Sequence, residues 1–109
     1  MRRSDRIILT KIQREIIIGV EMLSDMKIEE FLQNEMLKRA LSMTVINIGE
    51  LVKNISDELR KEQSDIPWKA IAGMRDIAAH KYQTLRMEDV YLTIKNDFPK
   101  LYEQLRGLS

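Results

Sequence analysis

The fold is decided by residues 35–55, which read EMLKRALSMTVINIGELVKNI. Apolar or small side chains recur three or four positions apart along it, at Leu37, Leu41, Thr44, Val45, Ile48, Val52 and Ile55. An α-helix has about 3.6 residues per turn, so this spacing places them on one helix face. The stretch therefore predicts a long helix with one buried side. Gly49 interrupts it at a cost of about 1 kcal/mol, and a close helix crossing would explain that glycine.

The chain before this helix has the same period. A first helix is predicted over residues 5–23, with Ser4 as its N-cap. Its inner stripe consists of Ile8, Ile12, Ile16, Gly19 and Leu23. Because Ile17, Ile18 and Val20 are apolar as well, this helix is either central or buried in a second interface. A short helical turn is predicted over residues 28–33.

The chain after it is predicted to be helical too. A short helix over residues 57–60 precedes a helix over residues 65–81, which Asp65 and Pro67 begin. A last helix is predicted over residues 87–105, kinked or split at Pro99 and stopped at Gly107. Its inward residues are Val90, Ile94, Phe98, Leu101 and Leu105. The fold class is therefore all-α, a bundle of four to five helices in a single domain, 1–109.

Composition excludes several classes of protein. The 109 residues are 44% hydrophobic and 32% charged, which is typical of a globular domain. With no cysteine, neither a disulfide framework nor a thiolate metal site can form, and a cytoplasmic location is favoured. Charged residues interrupt the apolar run near the N-terminus, which argues against a signal peptide, and no run suggests a membrane span. The net charge of +1 says little about nucleic acid.

The chemistry centres on the single histidine, His80. Helical spacing places Arg75, Asp76 and His80 on one polar face, with Tyr82 at its edge. The opposite face is apolar and consists of Ile71, Met74, Ile77 and Ala78. Asp76 and His80 are four residues apart, so the carboxylate can fix the imidazole tautomer. The small residues Ala72, Gly73 and Ala79 on the polar face would let a substrate or a second subunit come close.

Simpler interpretations remain open at this point. A solvated helix face explains Arg75, Asp76 and His80 equally well. Glu29, Glu30, Glu50 and Asp57 could be metal ligands, but solvated helix charges explain them, and no metal or cofactor is predicted. Trp68 is interpreted as a hydrophobic anchor at a helix start. The basic N-terminus, including Lys11, could meet phosphates or simply be solvated.

These residues resemble a known family. Residues 66–76, IPWKAIAGMRD, followed by His80, Lys81 and Tyr82, are similar to the motif region of the HepT-like group in the HEPN superfamily. Residues 39–50 and 95–101 are similar to the family's second-helix and C-terminal patterns. The sequence departs from the family at Lys81, where a glycine often follows the histidine.

The resemblance implies a function. It implies a helical homodimer in which the Arg75 and His80 motifs of two subunits meet, and a metal-independent RNA endonuclease with Arg75 and His80 as catalytic residues. Asp76 and Tyr82 would support them, and Lys81 and Arg86 are candidate RNA contacts. The implied role is the toxin of a toxin–antitoxin pair, silenced by an MNT-type nucleotidyltransferase that adenylylates Tyr82.

The requirements of metal-free RNA cleavage agree with that implication. An acid–base pair needs two proton carriers, and a two-fold dimer supplies a second His80, although water or Tyr82 could be the second carrier. Arg75 offers a fork of donors to phosphate. The alternative is a non-catalytic helical dimer that binds nucleotide, RNA or a nucleotidyltransferase. A purely structural bundle is a further alternative.

Overall fold

The computed structural model describes residues 1–80 and 85–108, apart from the side chains of residues 77–80. Its α-helices are α1 (Arg3–Leu23), α2 (Ile28–Leu32), α3 (Glu35–Lys53), α4 (Asp57–Glu62), α5 (Trp68–His80), α6 (Met87–Leu92) and α7 (Phe98–Arg106). The described ranges contain no strand, so the predicted all-α class is confirmed. The predicted four to five helices correspond to the longer elements; α2 and α4 are single short turns, and the last helix is divided.

Helix α3 is the centre of the bundle, packed against α5 on one side and α1 on the other. Its predicted stripe is confirmed, because Leu41, Val45, Ile48 and Val52 are buried. The helix begins where the Asn34 side chain accepts a hydrogen bond from the Leu37 N–H at 2.9 Å, which satisfies one of the free donors of the first turn. Because α3 packs against both α1 and α5, its residues can contact either helix.

The start of α1 differs from the prediction. The helix begins at Arg3, so Ser4 lies inside the first turn and the prediction of Ser4 as N-cap is wrong. The first turn extends back to Arg3 because the Arg6 N–H donates to the Arg2 carbonyl at 3.2 Å, and Arg2 itself pairs through Nε with Glu58 at 3.4 Å. Within this turn the buried carboxylate of Asp5 accepts hydrogen bonds from the Ser56 N–H at 3.0 Å and the Ser56 hydroxyl at 2.6 Å. Ser56 in turn caps α4 through the Leu59 N–H. The Asp5–Ser56 contact ties the start of α1 to the start of α4, and Ser4 is exposed in the same turn.

The C-terminal part is divided, as Pro99 predicts. A π-helical turn, Thr93–Asp97, separates α6 from α7. Pro99 has no N–H to donate, and its ring would clash with the carbonyl four residues earlier in a regular helix. The wider π-helical turn accommodates it. The inward residues are buried as predicted, among them Ile94, Phe98 and Leu101.

The second apolar side of α1 lies at the surface. Ile17, Ile18 and Val20 are exposed, so α1 is not the central helix. Burial of this side of α1 in a second interface stays a prediction. No helix in the described part of the chain is long and apolar enough to cross a membrane.

Candidate active site

The site is built where α5 crosses α3 at Gly49. A Cβ atom added to Gly49 would lie 2.6 Å from the Cβ of Arg75 and 3.1 Å from its backbone nitrogen. Real Cβ atoms do not approach so closely, so any larger residue would push the two helices apart. The close crossing predicted from Gly49 is therefore confirmed, and the residue that it receives is Arg75.

Two carboxylates hold the guanidinium of Arg75. Its Nε lies 2.6 Å from Oε2 of Glu50, and its Nη1 lies 2.7 Å from Oδ1 of Asp76. The Arg75 side chain is 30% exposed, whereas those of Glu50 and Asp76 are 53% and 57% exposed. The stem is thus packed against α3 while the charged head reaches the surface.

Arg75 is positively charged at any pH at which the protein is folded. The hydrogen bond that Arg75 donates to Asp76 and the negative charge of Glu50 raise the pKa of Arg75 above its ordinary value. Arg75 is therefore a permanent cation, and any pH dependence of the site must come from another group. Two carboxylates and one guanidinium leave this cluster with one formal negative charge.

The orientation of Arg75 differs from the prediction. Helical spacing placed it on a solvent-facing polar side with Asp76, opposite the apolar face. The structure places its Cβ toward α3, in the sector of α5 that also carries the buried Trp68 and Ile71. Asp76 is on the outer side, as predicted. The long arginine side chain allows the Cβ to lie in the interface with α3 while the guanidinium reaches the surface beside Asp76.

The small residues of α5 differ in what surrounds them. A Cβ added to Gly73 would meet nothing within 4 Å, so open space lies beside it, as a close-approach surface requires. Ala72 instead packs partly against the core. The Ala79 side chain is outside the described residues.

The remaining predicted site residues are only partly placed. His80 is the last residue of α5, one helix turn beyond Asp76, but its side chain is outside the described residues. Lys81 and Tyr82 are outside them as well. Arg86 is exposed and immediately precedes α6. Of the predicted set, the structure brings Arg75 and Asp76 together.

Glu50 is the residue whose role sequence reasoning missed. From sequence it is explained as a metal ligand or a solvated helix charge, yet the structure shows that it holds Arg75. The signal was its position directly after Gly49, since a glycine inside a helix marks a close neighbour. No group of three acidic, histidine or cysteine residues suited to a metal occurs among the described residues. Trp68 is buried, as predicted, and its indole donates to the Gln63 carbonyl at 3.0 Å.

A groove beside Glu50 carries two further cations. It runs between α1 and α3 and is lined by Lys11, Arg14, Glu15, Asn47, Glu50 and Leu51. The Asn47 amide donates to Glu15 at 3.1 Å and joins the two helices there. Glu50 thus lies between Arg75 on one side and a groove with two basic residues on the other.

The chain is similar to known ribonucleases. Residues 8–108 match the family described as ribonuclease HepT-like. The chain is 34% identical to "Putative RNase TTE0752" of Caldanaerobacter subterraneus subsp. tengcongensis, covering 97% of this chain and 95% of that protein. It is 31% identical to "Probable ribonuclease HepT" of Thermococcus cleftensis, over 97% of this chain and 99% of the relative. No solved structure matches significantly.

The family match covers all of the elements that build the site. Gly49 and Glu50 of α3, and Arg75 and Asp76 of α5, lie within the matched residues, as does His80. The resemblance drawn from the motif is thereby confirmed. The chain belongs to the HepT-like ribonuclease family, and this protein is an endoribonuclease.

Proposed function

We propose that this endoribonuclease cuts RNA without a metal ion, with Arg75 and His80 as its catalytic residues. The observation that carries the proposal is the fixed Arg75 guanidinium, held at the surface by Glu50 and Asp76. His80 follows five residues later on the same helix. A fixed cation on the same helix as an imidazole, whose ordinary pKa is near neutrality, is the combination that phosphate chemistry needs.

In the proposed reaction the RNA attacks itself. A base removes the 2′-OH proton, O2′ bonds to phosphorus, the P–O5′ bond breaks, and an acid protonates O5′. His80 acts as base or acid, and Arg75 stabilises the charge on the phosphorane. The products are a 2′,3′-cyclic phosphate and a 5′-hydroxyl. End-group analysis of the fragments tests this route, since a 3′-hydroxyl end excludes attack by the 2′-OH.

The charge balance of the site supports a composite arrangement. Arg75, Glu50 and Asp76 together carry one negative charge, which by itself would repel a phosphate. His80, when protonated, and Lys81 would supply positive charge within one subunit, and Lys11 and Arg14 lie beyond Glu50. A second subunit would bring the same cations, together with its own Glu50 and Asp76, to a shared cleft.

We propose that two copies of the chain form that cleft. Open space beside Gly73 supports a close approach of a partner at α5. Elsewhere on the described surface, Ile18 and Met22 of α1 and Met43 of α3 are exposed apolar residues. Burial of such side chains against a second copy would favour association, and it would provide the second interface that the sequence of α1 requires.

A bulky residue at Gly73 should separate the subunits. We expect the wild type to have twice the 12.8 kDa chain mass by light scattering. Gly73→Arg should shift the protein toward the monomer, because the long side chain occupies the approach surface. Its circular dichroism should stay helical, since the folded chain leaves that space open. A wild type that is monomeric at micromolar concentration would contradict the dimer.

We also propose that the enzyme is a cytoplasmic toxin silenced by an MNT-type nucleotidyltransferase. The family resemblance at the motif supports this, with Tyr82 as the acceptor. An AMP group would add bulk and negative charge beside the RNA phosphate. Incubation with such a partner and ATP should raise the intact mass by about 329 Da, and Tyr82→Phe should prevent it. An unchanged wild-type mass would count against this regulation.

A further inference from the structure

We propose that Glu50 is a positioning residue, which holds Arg75 in the orientation that RNA cleavage requires. This inference rests on the proposed function of Arg75. Its basis is the ion pair across two helices, with Oε2 of Glu50 2.6 Å from Nε of Arg75. Glu50 lies on α3 and Arg75 on α5, so the contact ties the guanidinium to the central helix of the bundle.

Asp76 cannot replace Glu50 in this role. It is the next residue after Arg75 on the same helix, and its contact with Nη1 spans no other element. Such a contact moves with α5 and does not fix the guanidinium relative to the rest of the fold. Glu50 approaches from the neighbouring helix and binds Nε of Arg75, whereas Asp76 binds Nη1.

Gly49 and Glu50 act together at this point. Gly49 lets the backbone of Arg75 come against α3, where an added Cβ would be 3.2 Å from its Cα. Glu50 then receives the head group of the same side chain. An arginine has several rotatable bonds and samples many rotamers when it is free at a surface. Because both its stem and its Nε are fixed, the Arg75 side chain is ordered before the substrate binds. Displacement of a catalytic group by about 1 Å can lower the reaction rate about a hundredfold.

Glu50→Gln tests the role, with Glu35→Gln as the matched control. Glu35 lies on the same helix, is similarly exposed, and pairs with Nε of Arg39 at 3.1 Å, at the other end of α3 from Glu50. We expect Glu50→Gln to lower kcat by about tenfold to a hundredfold without raising KM, because loss of the carboxylate charge removes a repulsion from the phosphate. Glu35→Gln should leave both constants within about twofold of the wild type. An unchanged kcat in Glu50→Gln, or an equal loss in Glu35→Gln, would overturn the inference.

A spectroscopic readout separates this inference from the proposed function. In the wild type, the ¹⁵N–¹H signal of Arg75 Nε should be protected from exchange with water. Glu50→Gln should lose that protection, and Glu35→Gln should keep it. Protection that persists in Glu50→Gln overturns the positioning role even if the enzyme cleaves RNA. A wild type that cleaves no RNA overturns the function of the site, whatever the signal shows, and leaves Glu50 as a structural contact.

Discussion

Replacing Arg75 with alanine should lower the rate of RNA cleavage by roughly a hundredfold to a thousandfold, the usual effect of removing a donor that stabilises a developing oxyanion. The guanidinium is the permanent cation of the site, held between Glu50 and Asp76. Its removal takes away the positive charge and leaves two carboxylates that repel the phosphate. The loss should therefore appear in single-turnover cleavage of a defined RNA.

Arg75→Lys is the informative companion to this variant. Lysine keeps the positive charge, but its ammonium group lacks the planar fork of N–H donors that a guanidinium has. It therefore cannot donate to Glu50, Asp76 and a phosphate in the same geometry. We expect a smaller but clear loss of rate. Thermal unfolding should show that both variants fold. An Arg75→Ala enzyme within threefold of the wild-type rate would exclude Arg75 from the chemistry.

Gly49→Ala should destabilise the protein by about 1–3 kcal/mol, the usual range for an overpacked helix contact. The sign is diagnostic, because alanine in place of glycine ordinarily stabilises a helix interior by about 1 kcal/mol. Here the added methyl would meet the Cβ of Arg75 at 2.6 Å and backbone atoms behind it, which cannot rotate away. Helices α3 and α5 must separate, and cleavage should fall because Arg75 moves.

Gly107→Ala is the matched control for this substitution. A methyl there would meet only the Gln104 carbonyl at 3.6 Å, an ordinary contact. Urea unfolding should give this variant a free energy of unfolding within about 0.5 kcal/mol of the wild type. If Gly49→Ala proved more stable than the wild type, the close crossing of α3 and α5 would be refuted.

The helices could be predicted because their signals are local. The spacing of Leu41, Val45, Ile48 and Val52 requires only that one face be buried, and the structure buries it. Pro99 likewise acts on its own helix, and the chain divides there. The start of α1 could not be predicted, because its N-cap residue Arg2 pairs with Glu58, which is 56 residues away in sequence.

The site could be located from the sequence but not assembled. The spacing of Arg75 and His80 identifies α5 as the helix that carries the site. Gly49 predicts that another helix crosses α3 closely, but it does not identify which residue lies at the crossing. Angles around α5 describe its own faces and carry no information on the position of α3. For that reason the direction of Arg75 and its contact with Glu50 emerged only from the packing of the two helices.

The most direct test of the account is cleavage of total RNA in excess EDTA by the wild type and by His80→Ala. We predict that the wild type cuts RNA under these conditions and that His80→Ala does not, because the proposed chemistry needs a proton carrier and no metal. Mass spectrometry should first show that Tyr82 is unmodified. Cleavage that EDTA abolishes, or that persists in His80→Ala, would contradict the central claim. Binding without cleavage by an unmodified wild type would instead favour the non-catalytic dimer.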